Sequence, residues 1–184
     1  MRLIRLTCSL LPLALGLAAC SDSNSLPNAT TANAVDTVTL GSLEGTSIST
    51  PSGYSVLNGA VRTDLTTGFE FAYNIEGQDS QPVFLPRAVL DISDNTADPG
   101  LQRRTEAFDS ITVAPSNGYV TDSGVTVAVG DVFLVRSRVV CTSLGVPLYA
   151  KLQVLSLEDK MVTFQVLADA NCGYKSLEPG IPER

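Results

Sequence analysis

The sequence predicts an all-β fold, a single antiparallel sandwich or open barrel that closes with a C-terminal meander. Three observations carry this. After residue 36, apolar residues recur with a period of two rather than 3.6. Fourteen glycines and ten prolines punctuate the chain at strand-and-turn intervals. Only one short stretch, residues 101–109, has a helical pattern.

Taken in order, Phe69, Phe71, Tyr73 and Ile75 alternate with Glu70, Ala72 and Asn74, the pattern of a half-buried strand. Residues 83–92 read as a second strand broken at Pro86, which lacks an N–H and so marks an edge or a bend. Residues 101–109 follow Asp98-Pro99-Gly100, and Leu101 and Phe108 fall seven apart, as on two helical turns. Val125, Val127 and Val129 alternate with small residues before a Gly130-Asp131 turn. The meander begins at residues 132–140, with Phe133, Val135, Ser137 and Val139 on one face and Arg136 and Arg138 on the other. Residues 148–157 and 161–168 then form a hairpin about Glu158-Asp159-Lys160. Val162, Phe164, Val166 and Ala168 share one of its faces.

The N-terminus has a different grammar. Arg2 and Arg5 precede an apolar run over residues 6–17, and small residues lead into Leu17-Ala18-Ala19-Cys20. This is the layout of an export signal, too short for a spanning helix. It resembles the lipobox of bacterial lipoproteins, and that resemblance implies a signal peptide over residues 1–19 and acylation of Cys20 by palmitate-type chains. It further implies a cell-envelope protein held to the membrane by its N-terminal lipid. Ser21, in place of Asp, points to the outer membrane. An ordinary secretory signal cut after Ala19 fits Gly16, Ala18 and Ala19 as well. Residues 20–36 then read as lipidated cysteine plus flexible tether, polar and poor in aromatics. Its reach would be about 20–25 Å on the ~5–6 Å × √n rule. Residues 37–184 are the β-domain.

The chain carries a net charge of −7. Loss of residues 1–19 removes two arginines and no acid, which takes it to −9. Such a body, without basic clusters, excludes nucleic acid as a partner and charge-driven adhesion to anionic lipid. There is no histidine, which removes Ser-His and Cys-His nucleophile pairs and bis-His metal or haem ligation. No cofactor, metal site or catalytic residue is expected. Of four cysteines, Cys8 leaves with the signal and Cys20 carries lipid. Cys141 and Cys172 lie just beyond strand ends that an up-down-up order brings to one sheet edge, so a disulfide is expected. Two buried thiols are the alternative.

Other residues carry chemistry of lower specificity. Asp91, Asp94, Asn95 and Asp98 supply hard oxygen ligands, but their spacing fits ordinary turns rather than a calcium loop. Asp64/Glu70 and Glu76/Asp79 could serve as acid and base, although in an acidic chain such pairs are usually solvated. Lys151 reads as a solvent-facing strand lysine. Tyr119 and Tyr174 each stand beside a loop glycine, and with Tyr149 they are the candidate ligand contacts, the alternative being lids over a sheet end.

Three segments of the meander, Gly130-Asp131-Val132-Phe133-Leu134-Val135-Arg136, Tyr149-Ala150-Lys151-Leu152-Gln153-Val154-Leu155-Ser156 and Val162-Thr163-Phe164, resemble strands of the HmuY-like lipoproteins. That family comprises all-β, lipid-anchored surface proteins associated with haem capture. The resemblance implies an all-β, anchored domain. It does not carry haem over, because the family's ligands are a histidine pair absent here. The functional expectation is a lipid-anchored envelope β-domain with a non-enzymatic binding or envelope-organising role. The alternatives are an HmuY-like small-ligand binder and a carboxylate-based hydrolase.

Overall fold

The computed structural model describes residues 26–92 and 98–183. Two five-stranded antiparallel sheets stack face to face. The first contains β1 (Val35–Gly41), β6 (Gly100–Arg104), β8 (Val132–Cys141), β9 (Val146–Glu158) and β10 (Met161–Asp169), in the order β1-β10-β9-β8-β6. The second contains β2 (Gly53–Ser55), β3 (Gly59–Val61), β4 (Phe71–Glu76), β5 (Gln81–Pro86) and β7 (Val125–Thr126), in the order β3-β2-β4-β5-β7. No ladder joins the sheets among the described residues, so the architecture is a sandwich rather than a barrel.

The period-two pattern explains the core. Phe71 and Tyr73 of β4 and Phe84 of β5 face Phe133 of β8 and Phe164 of β10, with Tyr54 of β2 packed beside them. Phe84 is the hub. Its ring centroid lies 4.5 Å from that of Phe71, 5.7 Å from Phe133 and 6.1 Å from Phe164, so one side chain ties both sheets together. Such pairs add to the burial free energy.

The hairpin expected near the C-terminus is present as β9 and β10. Its turn is tighter than expected, because Met161 pairs with Glu158. Asp159 and Lys160 alone form the loop, both with positive φ (48° and 64°), the geometry a two-residue hairpin requires. The strand expected over residues 83–92 ends at Pro86 and passes into a 3-10 turn, Arg87–Leu90.

The helical expectation is overturned. Residues 101–109 are not helical: Gly100–Arg104 is β6, paired to β8, and only Phe108–Ser110 forms a 3-10 turn. The seven-residue spacing of Leu101 and Phe108 arises because the two are buried on opposite sides of the first sheet. Leu101 belongs to the inter-sheet core, whereas Phe108 belongs to a second cluster on the outer face. That cluster joins Val132, Leu134, Tyr149 and Leu167 from the strands to Phe108, Ile111, Ala114 and Leu177 from the loops. The first sheet is therefore covered on both faces, and β8 and β9 read as near-continuous apolar runs.

Residues 27–34, expected to be tether, are strapped to the body. The Tyr174 hydroxyl donates to Pro27 O (3.0 Å) and accepts from the Ala29 amide (3.2 Å). Asn171 Oδ1 accepts from the amides of Thr30 (2.9 Å) and Thr31 (3.0 Å), and Asn171 Nδ2 donates to Thr31 O (2.9 Å). Asn33 and Gly180 exchange backbone hydrogen bonds. Polar composition ruled out a core there, but backbone groups need no apolar face to dock. The lipobox, Cys20 and the first residues of the expected tether lie outside the described residues.

Candidate functional site

The pairing within the first sheet is irregular between β9 and β10 at Thr163/Phe164 and, more extensively, between β8 and β9. Between β8 and β9 the pairing runs in register from Val132 to Arg136, opposite Tyr149, and then skips to Val139 opposite Pro147 and Cys141 opposite Val146. A bulge of this kind bends the strand and re-aims side chains. Here it opens a cleft of about 220 Å³ lined by Ser116, Arg136, Ser137, Val139, Pro147 and Tyr149, among others.

The sides of this cleft are built from the loops that cover the sheet. The guanidinium of Arg136 lies over the Tyr119 ring, 5.1 Å from its centroid. Its Nη2 donates to Asp98 O (3.1 Å) and its Nη1, at 3.4 Å, to Ser116 O. Tyr119 and Tyr149 stand 6.4 Å apart, centroid to centroid. Lys175, which lines the neighbouring hollow, stands beside the cleft with its Nζ 2.5 Å from Ser116 Oγ and 5.9 Å from the Tyr149 ring centre. Burial pushes both phenols up; the neighbouring Tyr149 adds to this at Tyr119, and Arg136 opposes it at both. Both therefore stay protonated donors at neutral pH.

Of the three candidate tyrosines, then, the structure brings Tyr119 and Tyr149 together and places Tyr174 elsewhere. Tyr174 lines a separate hollow of about 280 Å³ with Pro27, Thr30 and Asn171, and its hydroxyl holds residues 27–29. Arg136, which the sequence did not single out for binding, is the charged residue that lines the cleft, and Lys175 stands beside it on Ser116. The signal available was the alternation that sets Arg136 outward, but the loops that meet it are distant in sequence.

Cys141 and Cys172 form the expected disulfide, with 5.8 Å between Cα atoms. It ties the end of β8 to the turn beyond β10, close to the Asn171 clasp.

Lys151 departs from expectation. It is 3 % exposed, and its Nζ donates to Phe108 O (2.9 Å) and Ile111 O (2.8 Å) while resting 4.5 Å from the Phe108 ring centre. The covering loops put it under cover, and burial pulls its pKa down, with Asp109 and Glu178 opposing. Its hydrogen bonds close the loop over the sheet.

The carboxylates weighed as acid and base are engaged separately. Glu70 is 1 % exposed; its Oε2 accepts from the Val56 amide (2.7 Å) and its Oε1 from Arg138 Nη1 (3.1 Å). Asp64 takes a two-point contact from Arg62 at the surface. Glu76 and Asp79 are exposed at the β4–β5 turn. The Asp94 and Asn95 positions of the calcium reading lie outside the described residues. Among the described residues, no three Cys, Asp or Glu side chains gather as a metal cluster.

No protein-family model, curated protein or solved structure matches this chain.

Proposed function

We propose that this protein is a lipid-anchored β-sandwich of a bacterial cell envelope that works by binding a small ligand rather than by catalysis. The observation that carries the binding reading is the bulge cleft, where Arg136 and Tyr149 meet Ser116 in a concave, partly apolar setting with few polar groups. That is the usual make-up of a ligand site. Support for binding over hydrolysis comes from Glu70 and Asp64, each tied to its own arginine and neither lining the cleft. Support for the anchor comes from the Leu17-Ala18-Ala19-Cys20 block, and for an oxidising compartment from the Cys141–Cys172 bridge.

The test has two arms. Intact mass spectrometry of protein purified from a bacterial host should find an acylated Cys20 as first residue, and Cys20→Ala should move the protein to the soluble fraction. An unprocessed Met1, or an unmodified thiol at position 20, overturns the anchor. In the second arm, haem titration should leave the visible spectrum unchanged and a glycan panel should show no turnover. A spectral shift moves the reading to the HmuY-like alternative, and turnover moves it to a hydrolase.

A further inference from the structure

The charges around the cleft point to its ligand. This is an acidic protein, with nineteen Asp and Glu against twelve Lys and Arg. Arg62, Arg103, Arg104 and Arg138 are each paired with a carboxylate, Asp64, Asp131, Glu106 and Glu70 respectively. Arg136 and Lys175 have no carboxylate partner among the described residues. Their contacts are carbonyl oxygens, the Ser116 hydroxyl and tyrosine rings. In an acidic chain two such cations bridged by one serine are an unmet demand for negative charge.

The guanidinium is also fixed in place. Asp98 O and Ser116 O take one N–H from each terminal nitrogen, and the Tyr119 ring holds the plane. Nε is covered by protein and has no acceptor. What remains for a ligand is one further N–H on each terminal nitrogen, a spacing suited to the two oxygens of a carboxylate. The Ser116 hydroxyl and the protonated Tyr149 phenol stand nearby as neutral donors for a ligand's hydroxyl or carbonyl groups. The cleft's 220 Å³ lies below the ~300 Å³ lower bound of drug-sized pockets, which limits the occupant to one ring or one residue. A larger hollow of about 530 Å³, which Lys175 itself lines, does not share this chemistry, since Glu178 and Glu183 line it too and no arginine does.

We propose that the bulge cleft binds a small carboxylate-bearing ligand, its carboxylate on Arg136, with Lys175, held beside the cleft on Ser116, adding attraction and Ser116 and Tyr149 contacting the rest. The inference rests on the binding reading above and names its ligand chemistry. A sugar acid and the C-terminal carboxylate of an amino acid both meet it, and the test separates them.

Detergent-solubilised full-length protein is titrated by NMR with sodium glucuronate, N-acetyl-alanine, glucose and inorganic phosphate. Glucuronate or N-acetyl-alanine should bind and glucose should not, and whichever carboxylate binds identifies the source. Arg136→Gln should weaken binding at least about tenfold, as loss of a charge-assisted pair does, and Lys175→Gln only about two- to fivefold. Arg136→Lys keeps the charge but loses the two-point geometry, so it should also lose most affinity. Melting curves of each variant establish that the fold is intact. Equal binding of glucose and glucuronate overturns the carboxylate assignment but leaves the binding reading standing, as does phosphate binding that matches either carboxylate. Failure of all four probes to move the Tyr149 and Ser116 signals overturns both.

Discussion

Glu70→Gln is the substitution whose effect can be worked furthest from the structure. Two effects oppose at this carboxyl. Burial disfavours the anion, while the Val56 amide and the Arg138 and Arg87 guanidinium groups favour it. Burial wins, because the ion pair is a single contact at 3.1 Å whose arginine side chain remains one-fifth exposed. The Glu70 carboxyl is pushed up to about 7 from an ordinary 4.5. A folded-state value above the unfolded one means that the contribution is fully present below about pH 4.5 and is lost as pH rises through about 7. The gap corresponds to about 3 kcal/mol, or about 6–12 °C in melting temperature for a chain of this size. Because the chain has no histidine, few other groups titrate in that window. In the variant, the glutamine carbonyl still accepts from Val56, and Arg138 can swing outward from the amide. Circular-dichroism melts of both proteins between pH 5 and 8.5 should show the wild type losing stability from pH 5 to about 7 and levelling off above that, with Glu70→Gln nearly flat throughout. Parallel curves, or a Glu70 carboxyl carbon that titrates below pH 5 by NMR, would mean that Arg138 outweighs burial.

Cys141→Ser with Cys172→Ser should lower stability by about 3–4 kcal/mol, the chain-entropy value for this loop, read as a melting shift under non-reducing conditions. Lys151→Met keeps the volume but leaves Phe108 O and Ile111 O without their donor, so hydrogen exchange should quicken in residues 108–114 while the inter-sheet core stays protected. Its pH signature runs opposite to that of Glu70. A depressed lysine value adds stability as pH climbs from that value towards 10.5, and this rise should vanish in the variant. Asn171→Ala removes three hydrogen bonds to Thr30 and Thr31 and should expose residues 27–33 to limited proteolysis without shifting the global melt by more than about 1–2 kcal/mol.

The inter-sheet core was legible because period two is local: Phe71, Tyr73, Phe133, Val162 and Phe164 announce their face from their neighbours alone. So was the disulfide, which followed from strand order. The outer layer was not legible. Nothing adjacent to Lys151 tells that residues 108–111 will close over it, and nothing near Leu101 tells that β8 will recruit it into a ladder. Tertiary pairing overrode the helical spacing there. The candidate cleft was half readable. Tyr119 and Tyr149 could be named as loop and strand aromatics, but the pairing that sets Arg136 opposite Tyr149, and the bulge just beyond it, are properties of the β8–β9 register and have no composition signal.

The strap at residues 27–34 has a mechanical consequence. β1 is an edge strand held by β10 alone in its sheet, and a pull that draws its first residue away from the sheet would unzip that ladder one pair at a time. Force entering at Leu26 instead reaches Tyr174 and Asn171 first, and these flank a cysteine covalently fastened to the far end of β8. The load is shared across the sheet before any strand is peeled, so a domain tugged from that side would yield at the strap and keep its sandwich.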